Sequence, residues 1–304
     1  MKTFIYRALL AVTLCAASAI SGLAQTRTIE HDFSPFDGIE ATDGFKVSIS
    51  RNDTYSAKLT IDDALESYVQ CYVRSGVLHI GLDSKNVPKD LKKSYKGKNS
   101  QGPTLVAVVY LPTLNSLSLD DDCEFFSANN LTTGDFTLTM KGSSSISNLK
   151  VVANSATVSL EKNAKFINAN ITTEKDLSLS ADGKSSVTME FSCGNLALSG
   201  SSNSDIALNG KAEGKVTVAA NTSTKIALTG EASSIEVTGK GSSGKVDASA
   251  LKVDDAVVAI TGLTVDVVPA KSLELDLGRG SEVNFSGDPA FKIVKIQNSS
   301  VIRK

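Results

Sequence analysis

Four acidic residues stand closer together than any others in the chain. Asp120, Asp121 and Asp122 are consecutive, and Glu124 follows at one residue's remove. Paired carboxylates are what glycosidic hydrolysis needs, one as acid and one as base or nucleophile. Asp120, Asp122 and Glu124 are therefore the candidates for a polysaccharide-active enzyme. The same acids could instead gather oxygen ligands for a hard cation, with Asp120, Asp121 and Asp122 as the cation candidates. A third reading makes the run a solvated polar corner. Asp254-Asp255 is a weaker instance of the pattern.

Other constellations fall short of chemistry. Gly239 to Lys245 satisfies the first seven positions of a phosphate-binding G-x-x-x-x-G-K-[ST] loop, but Val246 stands where the metal-binding hydroxyl belongs. Only two histidines occur, His31 and His79, and the chain from Leu117 onward has no His, Tyr or Trp. A Ser/His/Asp arrangement is therefore unavailable there. Guanidinium support for a developing charge is limited to Arg279 and Arg303, and stacking of sugars on rings is limited to Phe. These residues indicate no catalytic group and call for no cofactor.

The elements that carry these residues repeat, and a repeat governs the whole fold. One apolar track runs Leu119, Leu138, Val158, Leu179, Leu198, Val218, Val237, Val258 and Leu275, with spacings of 17 to 21 residues. A second runs Phe126, Ile146, Phe166, Val187, Ile206, Ile226, Val246, Val265 and Val283, with spacings of 18 to 21. Between them recur small corners such as Gly142-Ser143-Ser144-Ser145, Asp182-Gly183-Lys184-Ser185 and Gly278-Arg279-Gly280-Ser281. About 20 residues hold two period-2 strands and leave no room for a helix. The expectation is an all-β, right-handed parallel β-helix of about nine coils of about 20 residues, roughly 43 Å long at about 4.8 Å per coil.

Ahead of the repeats, residues 28–82 read as short strands: Phe45–Ile49, Ala57–Ile61, Val69–Val73 and Val77–Ile80. Asp43-Gly44 and Ser75-Gly76 mark turns between them. Residues 83–104 carry six lysines with Pro88 and Gly97 and read as a solvated loop, with docking to an acidic surface as the alternative. Leu105 to Leu111 is a strand closed by Pro112. Open ends of a β-rod invite edge pairing. The division expected is 1–24 as signal peptide, 25–115 as a β-rich cap and 116–304 as the repeat region.

Address follows from the first residues. Lys2 and Arg7 precede the apolar run Ala8 to Ile20, and Gly22-Leu23-Ala24 supplies small residues before a cleavage site. This is the pattern of a secretory signal peptide, too short to span a bilayer. No later run is long enough for a transmembrane segment. Three cysteines remain after cleavage, Cys71, Cys123 and Cys193, with no metal-binding spacing. An odd count leaves at least one free thiol or an intermolecular pair. Cys123 and Cys193 lie about 3.5 coils apart, roughly 17 Å, beyond the reach of a disulfide. With 31 Lys and Arg against 33 Asp and Glu, the net charge of −2 excludes a nucleic-acid binder driven by bulk positive charge.

Four stretches resemble the head GIN domain family of autotransporter adhesins from Gram-negative envelopes. They are Phe33-Ser34-Pro35-Phe36-Asp37-Gly38-Ile39; Phe45-Lys46-Val47-Ser48-Ile49; Ser75-Gly76-Val77-Leu78-His79-Ile80; and Leu111-Pro112-Thr113-Leu114-Asn115-Ser116-Leu117. The resemblance implies adhesion to a protein or glycan at the cell surface and carries over no ligand site. The repeats run almost to Ile302-Arg303-Lys304 without the alternating strands of a translocator barrel, so self-export is not expected. The reading favoured is an exported, non-enzymatic adhesin-like or scaffold protein of the periplasm or outer surface, binding through the outer face of the β-helix. The alternatives are the polysaccharide-active enzyme and a periplasmic structural or stress-related protein.

Overall fold

The computed structural model describes residues 25–96, 102–127 and 129–304. The signal-peptide reading of 1–24 lies outside the described residues, as does part of the Lys-rich segment. From Leu117 onward the chain winds into a β-solenoid of about nine turns. Two parallel stacks run along it, joined in each turn by a corner; in the early turns the second stack is split into two short strands, as at Ser145–Ser147 and Lys150–Ala153, both of which pair with Lys165–Thr173. In the first stack the inward residues align as Leu138↔Val158↔Leu179↔Leu198↔Val218 and onward through Val237, Val258 and Leu275. In the second, Ile146↔Phe166↔Val187↔Ile206↔Ile226↔Val246↔Val265↔Val283 align. All of these side chains are buried, forming one continuous apolar column.

Both tracks begin away from the positions read in the sequence, the first by two residues and the second by one. Leu138 pairs with Leu117, while Leu119 pairs with Met140. A shift of two residues keeps a strand side chain on the same face, so periodicity cannot separate Leu117 from Leu119. The second error changes face. Ile146 pairs with Phe125, which is 4% exposed, and Phe126 points outward at 57%. Two adjacent phenylalanines offer equal hydrophobicity, and only the ladder to the neighbouring coil selects one.

The N-terminal region takes part in the same stack. Its strands are β1 (Thr26–Asp32), β2 (Gly38–Ala41), β3 (Lys46–Arg51), β4 (Ser56–Asp62), β5 (Val69–Arg74), β6 (Val77–Leu82) and β7 (Leu105–Leu111). The next two, β8 (Ser116–Leu119) and β9 (Glu124–Ser127), open the repeats. β2 and β3 lie parallel on β8 and β9, with Ile39↔Leu117 and Val47↔Phe125. β6 and β7 lie parallel on the far side of β2 and β3. Antiparallel strands then cover this end: β5 on β6, β4 on β7, and β1 on β4. The Lys-rich segment contains a short helix, α1 (Lys89–Ser94), where a loop was expected. Pro88 stands just before the helix, where a missing N–H costs nothing, and Asp90 favours its first turn.

Candidate functional site

The acidic run lies at a corner, and its backbone explains its composition. Asp121 and Asp122 have φ of 51° and 66°, in the left-handed region. Asp43-Gly44, Lys162-Asn163, Gly183-Lys184 and Ser202-Asn203 adopt the same paired positive φ at corresponding corners. Gly, Asn and Asp tolerate this conformation best, because short polar side chains bond locally to the backbone. Asp120 does so here: its Oδ1 accepts the Asp121 N–H at 2.8 Å.

After each corner a small side chain turns inward: Cys123, Ser144, Ala164, Ser185, Ser204 and Thr224 are each at most 1% exposed. The hydroxyls of Ser204 and Thr224 bond to each other at 2.9 Å. The Asp121 carboxyl is held above the ordinary Asp value. Partial desolvation contributes most, then the neighbouring Asp120 and Asp43, with Lys162 opposing. Glu124 leaves the cluster and meets Lys46 Nζ at 3.3 Å. Among the described residues no group of three or more His, Cys, Asp or Glu is placed to hold a metal ion.

The other sequence candidates also resolve into contacts between coils. Asp254 meets Lys271 Nζ at 2.9 Å, and Asp255 accepts the Ser272 hydroxyl at 2.5 Å. Lys245, last of the phosphate-loop-like run, lies 2.8 Å from the buried Asp266, which also holds Lys304 at 2.9 Å. Gly239 of that run has φ of 151°, and a Cβ there would come 1.7 Å from the Ala220 carbonyl oxygen. Close coil packing, not phosphate, requires this glycine. His79 stacks on Tyr72 with ring centroids 5.0 Å apart, and its Nδ1 lies 3.3 Å from Glu40. Cys71, Cys123 and Cys193 are free, and burial pushes each thiol up to about 12.

A different region has the shape of a binding site. A groove of about 640 Å³ runs across the outer face of the second stack, within the size range of ligand sites. One of its walls is a register row with one residue per coil: Lys150↔Asn170↔Glu190↔Asn209↔Thr229. Asn170 Nδ2 donates to Glu190 Oε2 at 3.0 Å, and the Thr229 hydroxyl donates to Asn209 Oδ1 at 2.7 Å. Two further asparagines, Asn148 and Asn168, line the groove with φ of 60° and 54°. Asn168 falls where the strand Lys165–Thr173 shifts register against its neighbour. Such a bulge bends a strand locally and re-aims its side chains. Ala207 and Ala227, small and outward-facing, leave the neighbouring row low.

None of these residues was singled out by type. The spacing of 20, 20, 19 and 20 along the Lys150 to Thr229 row is present in the sequence. Every outward row repeats that way, however, and the bulge that hollows this one is not legible.

The family described as "Putative auto-transporter adhesin, head GIN domain" matches residues 35–170 and again 152–289, and the chain belongs to it. The double match is consistent with a chain built of repeating coils. A crystal structure of a "putative adhesin" from Parabacteroides merdae shares 15% identity, covering 93% of this chain and 98% of that one, with a TM-score of 0.45. A "putative adhesin" from Parabacteroides distasonis shares 14% identity over 92% of this chain and 98% of that one, with a TM-score of 0.44. A "putative lipid binding protein" from the same species shares 17% over 93% and 95%, with a TM-score of 0.40. No curated protein matches the chain. Among the described residues no helix is long and apolar enough to cross a membrane.

Proposed function

We propose that this protein is an exported, non-enzymatic, adhesin-like module of the Gram-negative envelope that binds through the outer face of its solenoid. The observation that carries the reading is the groove from Lys150 to Thr229, a continuous surface five coils long that faces outward. Membership of an adhesin family supports it. So does the acidic corner, where Asp121 and Asp122 serve turn geometry and Glu124 is paired with Lys46. The pattern of residues 1–24 supports export.

Protease added to intact cells making the native protein is expected to cleave it, whereas protection until lysis would overturn the surface assignment. Cells displaying the protein should adhere to glycan- or protein-coated surfaces, and Ala227→Arg, which fills the groove, should abolish that adhesion. Incubation of the pure protein with polysaccharides should release no reducing ends. Turnover that disappears in the Asp120→Asn, Asp122→Asn double variant would establish the enzyme instead.

A further inference from the structure

The groove's chemistry narrows what it can take. Its wall offers side-chain amides and a hydroxyl at Asn170, Asn209 and Thr229, groups that donate and accept at once. Among the described residues, the Asn170 Oδ1 and the Asn209 Nδ2 keep capacity beyond the bonds made within the row. Lys150 and Glu190 contribute one charge of each sign, so the surface selects for no net charge.

The backbone beneath is already used. Each strand of this stack pairs with the coils before and after it along most of its length, interrupted only by register shifts after Phe166 and after Ala227, so an extended peptide finds no continuous edge of free N–H and C=O groups, as strand addition requires. The ligand must instead bring its own donors and acceptors on a chain of regular repeat. The row repeats at about 4.8 Å, close to the advance of one pyranose ring in an extended chain. The low floor at Ala207 and Ala227 admits such a chain alongside the row.

We propose that the groove binds an extended, neutral polysaccharide laid parallel to the solenoid axis, about one sugar per coil. This rests on the adhesin-like reading and deepens it. With no Tyr or Trp in the lining, ring stacking is missing. A single site is therefore weak, and useful attachment comes from many copies on a cell.

The test is affinity electrophoresis and calorimetry of residues 25–304 with soluble β-glucan, dextran and mannan, and with polygalacturonate as the charged comparison. At least one neutral polymer should retard the protein, and oligomers of that polymer should gain affinity with length up to about five sugars, after which contacts with the row are exhausted. Ala227→Arg should weaken binding tenfold or more, while Asp121→Asn, at the distant corner, should leave it unchanged. Absence of binding to every neutral polymer, preference for polygalacturonate, or undiminished binding by Ala227→Arg would each overturn the assignment.

The adhesion assay separates the two readings. If Ala227→Arg abolishes cell adhesion while the pure protein binds only polypeptide, the glycan is wrong and the groove stands. If adhesion survives Ala227→Arg, the groove itself is wrong.

Discussion

The two ends of the solenoid are finished differently. At one end β4 and β5 pair antiparallel with the outermost coil and β1 with β4, and Leu59 of β4, with Leu78 and Val109 of the coil itself, is completely buried. At the other end the strands Ala290–Ile296 and Ser300–Arg303 pair only with the coil before them. Phe291 and Ile293 continue the inward rows of Leu273 and Leu275, yet they are 47% and 60% exposed. The same side-chain pattern is core at one end and surface at the other. Burial in a solenoid is contributed by the next coil, so inward direction alone does not make a residue core.

The largest expected effect tests that contrast directly. Leu59→Ala at the covered end should cost about 2–5 kcal/mol in denaturant unfolding. Ile293→Ala at the other end should cost less than about 1 kcal/mol, because little area leaves water. Equal losses would refute the comparison.

A polar contact next ties the last coil down. The Asp266 carboxyl is desolvated by burial, yet it is held below the ordinary carboxylate value by Lys245, Lys304 and Asn284. A lowered folded pKa means that this contribution is present above the unfolded value of about 3.9 and lost as pH falls through the folded value. Asp266→Asn should cost about 1 kcal/mol at pH 7 and flatten the loss of stability in acid. Hydrogen exchange should localise the loosening to residues 282–304, and a uniform increase along the chain would contradict this role.

The free thiols give a kinetic version of the same contrast. Burial holds Cys71, Cys123 and Cys193 as protonated thiols at neutral pH, and the thiolate is the reactive form. Maleimide labelling of native protein at pH 7 should be slow at all three. Cys71, half-buried on the outermost covering strand, should react before Cys123 and Cys193 in the column. Reaction of Cys193 first would mean that the middle opens more readily than the cover.

The smallest effect lies at the acidic corner. Asp121→Gly places the residue that best tolerates positive φ at a position of 51°. The change should be neutral or stabilising by up to about 1 kcal/mol. A loss of surface binding on this substitution would return the acidic run to the functional site.

Much of this was legible in the sequence, and the exceptions are specific. The apolar period of about 20 residues, with small corners between, encodes parallel coils, because two strands of period 2 and two turns fill that length. The inward rows from Leu138 to Leu275 follow from it residue by residue. The acidic run was legible only as a cluster, since carboxylate chemistry and turn geometry draw on the same residue type. Choosing Phe125 over Phe126 required the register to Ile146, and β6 and β7 join the stack out of chain order, which no local pattern encodes.

The sequence by itself therefore determined the repeat, the coil and the alternation of inward and outward residues, all of which follow from local periodicity. Tertiary structure decided which end is covered, which outward row is hollowed by the bulge at Asn168, and which acids find lysines. These depend on stacking between residues about 20 apart or farther, where a shift of one residue reverses a face and the chain's local pattern is silent.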